Sequence, residues 1–414
     1  MSPRPAVVDL FSGCGGLSWG LEKNGFHIAS GVDNWDVALK TFEKNHSHAP
    51  AVSADLATLD GREVAELLQL RRGTVDVVVG GPPCQGFSSA GQRRRGDARN
   101  TLVGAFARFV AHLRPSVFVF ENVEGFLTAE EGSRVLELLY PLVEAGYRIH
   151  LRKINAANFG VPQHRKRVIA IGALGWDPQY PEPTHSAYGA PGARLAGCHL
   201  PPTPTLGEAL AGLPPAARHR PGEPEDHYTT PLQGLDLKRA QALRPGQTMR
   251  DLPETYWHDS YRRRAFRRVK DGTPTERRGG APAGLRRLCA DVPSKAITGA
   301  ARNECIHPSE DRCLTVRECA RLQTFPDDFT FFGTSAERMQ LIGNAVPPVL
   351  AMKIAEAVHE SLRSVTAASE PGALLSFVPT VSSGRSPALD RVVRLVRTCF
   401  PDPTQGSFQP SLWG

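Results

Sequence analysis

Residues 75–85 read Val-Asp-Val-Val-Val-Gly-Gly-Pro-Pro-Cys-Gln, an apolar run of β-forming residues that passes directly into a turn. Such a run predicts a buried strand, and the paired prolines restrict the backbone that follows it. Cys84 is therefore presented at a strand end, where it is placed to react rather than to pack. The turn continues into a loop of small residues, which could close over a substrate.

The first third of the chain repeats this arrangement, with apolar strands separated by helical stretches. Further strands are predicted at residues 7–11, 27–32 and 117–120, and a helix at residues 17–24 that Gly25 closes. Continuous apolar strands between helices favour a parallel sheet covered on both faces. Ligands of such sheets bind beyond the carboxyl ends of the strands, so the residues that follow each strand should meet along one edge.

A glycine-rich segment, Gly13-Cys14-Gly15-Gly16, follows the first strand and is typical of a loop that lies close to a nucleotide. Asp33 comes 20 residues after Gly13, the spacing at which nucleotide-binding folds place a carboxylate on the ribose hydroxyls. Asp55 is a further candidate contact for an adenine amine. Ser18 occupies the position of the third glycine in the dinucleotide fingerprint, which disfavours NAD.

Two charged segments supply the remaining candidate catalytic residues. Glu121 follows an apolar strand, so its carboxyl group should be partly desolvated and suited to proton donation. In Gln163-His164-Arg165-Lys166-Arg167, strand alternation places Arg165 and Arg167 on one side, where their charge would favour a thiolate at Cys84. Taken singly, an inert cysteine, a solvated carboxylate and a solvated basic face stay open as alternatives.

Six segments, in this order, closely resemble the motifs of the C5-cytosine DNA methyltransferases, especially the bacterial enzymes of restriction-modification systems. They are residues 9–16 (DLFSGCGG), 80–88 (GGPPCQGFS), 121–123 (ENV), 163–167 (QHRKR), 317–327 (RECARLQTFPD) and 343–348 (GNAVPP). They extend over most of the chain. Their occurrence together argues against reading the cysteine as inert and the carboxylate and basic segment as solvated surface.

The resemblance implies a mechanism. The Cys84 thiolate would attack C6 of a cytosine, Glu121 would hold and protonate N3, Arg165 would bind the O2 side of the base, and Arg167 would help to position the loop. S-adenosylmethionine would supply the methyl group. The resemblance places its pocket at Phe11, Gly13, Cys14, Gly16, Asp33, Asp55, Leu56, Pro82, Leu102, Asn344 and Val346, although the family more often has glutamate at the position of Asp33.

The resemblance also implies double-stranded DNA as the partner, with the target base flipped out of the helix. Gln85, Ser88 and Ser89 are the expected DNA contacts of the loop. Residues 261–288 hold nine arginines and one lysine against one aspartate and one glutamate, a net charge of +8 compared with +7 for the whole chain. Basic charge is thus concentrated where DNA should lie. Arg277 and Arg278 are candidates for reading guanine edges.

The predicted fold is α/β, with a Rossmann-like S-adenosylmethionine-dependent methyltransferase domain and a smaller, irregular target-recognition domain. The large domain is expected at residues 1–178, completed by 336–362. The small domain is expected at 179–335, with its recognition region at about 185–292. Residues 363–414 are rich in Ser, Pro and Gly and are predicted to be a low-complexity, mostly disordered tail, in which residues 389–400 could form a short amphipathic helix with Arg391, Arg394 and Arg397.

Composition narrows the class of protein further. The 414 residues suffice for two domains, and 41% hydrophobic with 22% charged residues is typical of a soluble protein. No apolar run approaches the roughly 20 residues of a membrane span, and no signal peptide is recognised, so a bacterial cytoplasmic location without a membrane partner is expected. The eight cysteines form no Cys-x-x-Cys pair, so no metal site is predicted.

The expected assembly is a monomer, and a cognate restriction endonuclease would act on the same DNA site without stable binding. Three other functions stay open at this point. They are a tRNA cytosine-5 methyltransferase, a catalytically silent DNA-binding relative and a nicotinamide-dependent oxidoreductase. The arginine-rich region argues against the tRNA enzyme, and the intact reactive positions argue against the silent relative. The missing third glycine argues against the oxidoreductase.

Overall fold

The structure, a computed structural model, describes residues 4–83, 102–188, 193–195, 199–216, 226–259, 261–262, 284–365, 372–380 and 385–401. Within these ranges, eight strands form one large sheet: β1 (Ala6–Leu10), β2 (His27–Asp33), β3 (Ala51–Ser53), β4 (Val77–Gly80), β5 (Val117–Val123), β6 (Tyr147–Asn155), β8 (Lys166–Leu174) and β12 (Ala373–Val378). Four strands of two residues each lie outside it: β7 (Gln163–His164), β9 (Arg286–Arg287), β10 (Ser294–Lys295) and β11 (Cys305–Ile306).

The described α-helices, in chain order, are α1 (Gly16–Lys23), α2 (Asp36–Asn45), α3 (Gly61–Leu67), α4 (Leu102–Leu113), α5 (Ser133–Glu144), α6 (Leu206–Leu210), α7 (Gly234–Ala242), α8 (Ala301–Glu304), α9 (Val316–Leu322), α10 (Ser335–Asn344), α11 (Pro348–Arg363) and α12 (Pro387–Cys399). Short 3-10 helices occupy Glu124–Gly132, Ala156–Phe159, Met249–Asp251 and Glu254–Tyr256. The helix predicted at 17–24 is α1, and Gly25 follows it with φ 84°.

The strand order of the large sheet is β12–β6–β8–β5–β4–β1–β2–β3. All neighbouring pairs are parallel except those made by β8, which runs antiparallel to both β5 and β6. The sheet is thus mixed rather than parallel. The physical reason is the short connection from β6 to β8, residues 156–165, because a parallel return would need a longer crossover, usually a helix.

Helices cover both faces of the sheet, as expected for a doubly wound fold. One face packs against α3, α4 and α5, with Phe106, Phe109 and Leu138 among its fully buried side chains. The other packs against α1 and α11. Gly20 of α1 lies so close to Ala351 of α11 that a Cβ atom there would collide with it. The late helix α11 therefore lies directly beside the first helix of the chain.

A separate hydrophobic cluster, which includes Leu314, Phe325 and Ile342, packs around α9. Thr315 and Glu318 form the capping box that the sequence predicts for its start. Two buried arginines then tie the helix to its surroundings: Arg312 pairs with Glu318 at 2.8 Å, and Arg317 pairs with Asp226 at 2.7 Å. Ion pairs buried with further hydrogen bonds fix one arrangement of irregular segments.

The prediction of a disordered tail after residue 362 is wrong for two segments. Strand β12 pairs with β6, and α12 buries Leu389, Val392 and Val396 in the main core. The Ser, Pro and Gly content indicated disorder, but the amphipathic helix that the sequence allowed at residues 389–400 forms and buries its apolar face. The carboxyl-terminal segment therefore adds one strand to the large sheet and one helix to the core beside it.

By length and composition alone, one stretch of the described chain, Ser335–Arg363, could cross a membrane. Within the apolar stretch of 18 residues that suggests a span, 67% is buried inside the protein, as in a core helix.

Candidate active site

The loop after β1 carries the backbone strain of the site. Phe11, Gly13 and Gly15 all have positive φ, at 59°, 54° and 91°. Glycine adopts such angles readily, but a phenylalanine there costs on the order of 1–3 kcal/mol and persists only when its surroundings hold it. The sequence predicted the glycine turn but not the strained Phe11. This loop turns the chain from β1 into α1 and forms one wall of a cavity.

A second wall comes from the far end of the chain. A Cβ atom at Gly16 would collide with the carbonyl oxygen of Val346, so the loop and residues 344–346 lie in close contact. Gly343 approaches Thr298 and Gly299 equally closely. Glycines at these positions allow the backbones to meet, which brings residues 344–346 to the wall of the cavity.

Asp33 stands at the end of β2 and fixes the glycine loop. Its Oδ2 accepts the N–H of Gly13 at 2.9 Å, and its Oδ1 accepts those of Asn34 and Trp35 at 2.8 and 3.0 Å. Burial raises the pKa of the Asp33 carboxyl, and these three backbone donors counteract the shift. Asp33 is therefore both a structural clamp and a polar group on the cavity.

One cavity of about 1060 Å³ gathers the predicted cofactor residues. All eleven line it: Phe11, Gly13, Cys14, Gly16, Asp33, Asp55, Leu56, Pro82, Leu102, Asn344 and Val346. The sequence analysis missed other lining residues, namely Asp9, Ser12, Trp35, Thr298, Gly299, Gln340 and Leu341. Trp35 could have been found from its place beside Asp33, whereas the residues from 298 onward carry no local signature.

Glu121 lines this cavity from within the last residues of β5 rather than from beyond the strand. The side chain of the next residue, Asn122, donates to the carbonyl of Pro82 at 2.8 Å. That bond holds the proline turn beside the carboxylate, and Glu121 Oε2 lies close to Gly81. The turn that leads to Cys84 and the acid at residue 121 are thus brought together by the neighbouring strands β4 and β5.

Arg167 is the arginine that meets Glu121. Its Nε lies 2.7 Å from Glu121 Oε1, both side chains are largely buried, and both line the cavity. Arg165, by contrast, is 1% exposed and does not line the cavity among the described residues. Its guanidinium donates to the carbonyls of Ile297, Gly343 and Ala345 at 2.8–3.0 Å.

The expectation that Arg165 contacts the base therefore needs correction. The strand pattern is interrupted at Arg165, between β7 and β8, so Arg165 and Arg167 do not share a face as alternation predicted. Arg165 joins the segment at Ile297 to the cavity wall at residues 343–345. Of the two arginines, only Arg167 faces the space beside Glu121.

Several predicted residues lie outside the described ranges. They are Cys84, Gln85, Ser88 and Ser89 of the loop, and Arg277 and Arg278 of the basic segment. Pro83, the last described residue before Cys84, lines the cavity with Pro82.

Asp9, near the end of β1, is a buried carboxyl group on the cavity. Burial raises the pKa of Asp9 to about 7, although the Ser18 hydroxyl donates to its Oδ2 at 2.6 Å. The cavity thus contains a carboxyl group whose charge is sensitive to its surroundings near neutral pH.

The motifs and this geometry agree with the comparison to known proteins. The C-5 cytosine-specific DNA methylase family matches residues 6–360. The chain belongs to this family. DNA cytosine-5 methylation is therefore its activity. β12 and α12 lie beyond the matched residues.

Named relatives support the same assignment. Type II methyltransferase M.AgeI of Thalassovita gelatinovora is 32% identical over 426 residues, which cover 86% of this chain and 99% of that protein. Type II methyltransferase M1.HphI of Haemophilus parahaemolyticus is 34% identical over 355 residues, covering 85% of this chain and 86% of that protein.

Solved structures show the same fold. A DNA modification methyltransferase encoded within an Escherichia coli prophage has a TM-score of 0.63 and 25% identity, covering 87% of this chain and all of that one. The Dnmt2 methyltransferase of S. pombe has a TM-score of 0.51 and 18% identity, covering 86% and 99%, and that likeness concerns the fold alone.

Proposed function

We propose that the chain transfers a methyl group from S-adenosylmethionine to C5 of a flipped-out cytosine in duplex DNA, as the modification enzyme of a restriction-modification system. The observation that carries the proposal is the position of the Glu121–Arg167 pair on the cavity that all eleven predicted cofactor residues line. Relatives named as Type II methyltransferases support the biological setting.

The residues present fit S-adenosylmethionine. Strained Phe11 offers an aromatic face, Asp33 and Asp55 offer carboxylates, and Gly13 to Gly16 allow close backbone approach. A cavity of about 1060 Å³ exceeds what one such molecule needs, which leaves room for a base beside Glu121. When bound there, the cofactor would supply an electrophilic methyl group.

Cytosine C5 is a poor nucleophile until a thiolate adds across the 5,6 double bond. The Cys84 sulfur would form a bond to C6, which moves electron density to C5 and toward N3. Glu121 would protonate N3, and Arg167 would stabilise charge on the O2 side, the role first expected of Arg165. After methylation, loss of the C5 proton to a base would expel the Cys84 thiolate and restore the double bond.

The smaller domain and its basic segment, residues 261–288, would bind the duplex, and Gln85, Ser88 and Ser89 would contact DNA around the flipped base. A monomer suffices, because two domains can enclose the DNA. We place the enzyme in the bacterial cytoplasm, with a cognate endonuclease acting on the same site without stable binding.

The test is transfer of labelled methyl from S-adenosylmethionine to duplex DNA, with wild type beside Cys84→Ala and Glu121→Gln, and mapping of the product. We expect label on cytosine C5 at one short sequence, no label with Cys84→Ala, and a loss of about a hundredfold or more with Glu121→Gln. Label on tRNA but on no duplex would instead support the RNA enzyme. Cofactor binding without any transfer would support the silent relative.

A further inference from the structure

His46 is a fully buried histidine whose two ring nitrogens both face acceptors. It follows α2 directly and lies between the glycine loop and α1. Its Nδ1 is 2.7 Å from Glu22 Oε2, and its Nε2 is 3.2 Å from the carbonyl oxygen of Gly15. A carboxylate and a carbonyl can only accept, so each nitrogen must donate.

A neutral imidazole carries a single N–H and can serve only one of these partners. Both hydrogen bonds are made together only when both nitrogens carry hydrogen and the ring is an imidazolium. Glu22 is the matching anion. Its second oxygen, Oε1, lies 3.0 Å from Nε2 of His48, whose side chain is 59% exposed. The contacts therefore run from the surface at His48, through Glu22 and His46, to Gly15.

The Gly15 peptide is the start of α1, and its position fixes the loop around it. Its carbonyl also accepts the N–H of Trp19 at 2.8 Å in the first turn of the helix. The His46 ring packs so closely that a Cβ atom at Gly15 would collide with it. Because Gly13, Cys14 and Gly16 line the cavity, a change at Gly15 displaces residues that face the ligand.

We propose that His46 is a positioning residue for the cofactor loop, acting as a doubly hydrogen-bonded imidazolium paired with Glu22. The proposal rests on the proposed function, since it takes this cavity as the S-adenosylmethionine pocket. The ring is faced by Glu22 of α1, by the Gly15 carbonyl, by Phe42 of α2 and by Phe329, while His48 meets the far side of Glu22.

Loss of one proton from His46 has a defined consequence. The Nδ1 hydrogen stays, because a lone pair there would face a carboxylate oxygen at 2.7 Å. The Nε2 lone pair then faces the Gly15 carbonyl, and the loop loses this contact. Cofactor affinity should therefore be lower when the ring carries a single hydrogen.

The experiment compares binding of S-adenosylhomocysteine, by calorimetry across pH, in wild type, Glu22→Gln, His46→Gln and His48→Gln. In wild type we expect S-adenosylhomocysteine to bind at least about fivefold more weakly at high pH than at low pH. In Glu22→Gln the amide can donate to Nδ1, so a neutral His46 still serves Gly15, and the alkaline loss should disappear. His48→Gln should keep the wild-type profile, and His46→Gln should bind weakly throughout.

Asp9 and Asp33 also face the cavity, but they are present in every variant, so the comparison between variants isolates His46. Equal pH profiles in wild type and Glu22→Gln would overturn the proposal. Nitrogen NMR of histidine-labelled protein gives a readout without ligand, with His46 assigned by the signal missing in His46→Gln. A singly protonated ring at neutral pH would also overturn it. Doubly protonated His46 without any binding would instead count against the proposed cofactor.

Discussion

Arg165 and Arg167 stand two positions apart and have different surroundings. Arg165 is enclosed and saturates three backbone carbonyls from two parts of the chain. Arg167 pairs with Glu121 and borders the cavity. The first arrangement stabilises the structure, while the second places positive charge where a base would develop negative charge.

Alanine at each position should separate these two tasks. Arg165→Ala removes the donor to the carbonyls of Ile297, Gly343 and Ala345, of which, among the described residues, only Ala345 keeps a side-chain hydrogen bond, from Gln323, so the free energy of unfolding should fall by about 3 kcal/mol. Arg167→Ala should reduce the methyl-transfer rate about a hundredfold with a much smaller loss of stability. Urea denaturation and single-turnover rates measure the two effects. Equal stability of both variants would contradict the division of roles.

Asp9 should make stability depend on pH. Its pKa is about 7 in the folded protein, compared with 3.8 for an unperturbed carboxyl group. Between these values the unfolded chain has released the proton that the folded protein keeps, so the free energy of unfolding falls as pH rises, by as much as ~4 kcal/mol. Asp9→Asn removes this titration.

Urea denaturation without cofactor at about pH 4 and pH 8 tests this expectation, since the two conditions span nearly the whole range between the unfolded and folded pKa values. Wild type should lose more stability than Asp9→Asn between them. A parallel decline in both proteins would assign the pH dependence to other groups.

At the scale of elements, α12 supports the segment that follows β5, the strand that carries Glu121. Val392 packs against Gly132, at the end of the 3-10 helix Glu124–Gly132. That helix ends in three successive residues with positive φ: Glu130, Glu131 and Gly132. Such a turn needs outside contacts to persist. The segment beyond the family match is thus joined to the chain only a few residues after Glu121.

A charge placed on the buried face of α12 should expose this dependence. Val392→Asp buries a carboxylate without a partner, so the free energy of unfolding should fall by about 3 kcal/mol. Arg394→Ala changes the exposed face of the same helix and should alter stability by less than about 0.5 kcal/mol. Thermal unfolding of the two variants gives the comparison, and an unaffected Val392→Asp would show that α12 is dispensable.

At the scale of the molecule, the sequence predicted what local chemistry determines. Strands β1, β2, β4 and β5, the glycine turn and the capping box at Thr315 follow from residue type and spacing, whereas the short β3 and the last three residues of β5 were not predicted. The direction of β8 was missed because it depends on the length of one connection. In the tail, the spacing of apolar residues indicated the amphipathic helix, but strand β12 and the burial of that helix depend on contacts with the distant core. Thr298 and Gly299 were missed because only the approach of Gly343 brings them to the cavity.

The basic segment gives a prediction for the whole complex with DNA. If Arg277 and Arg278 read guanine edges, alanine at either position should relax sequence choice at one base pair, at a cost of about 1–3 kcal/mol. Methylation of a library of single-base variants of the site would show this. A uniform loss on all sequences, with a shallower dependence of binding on salt, would mark phosphate contacts instead.

The contact between Gly16 and Val346 also has a consequence for biosynthesis. The wall that closes the cavity is made by almost the last residues of the family domain, after the ribosome has added some 330 residues to the first wall. At typical rates of synthesis that interval is on the order of half a minute. No unfinished chain can hold the complete cavity, so each new copy gains activity only when translation is nearly finished.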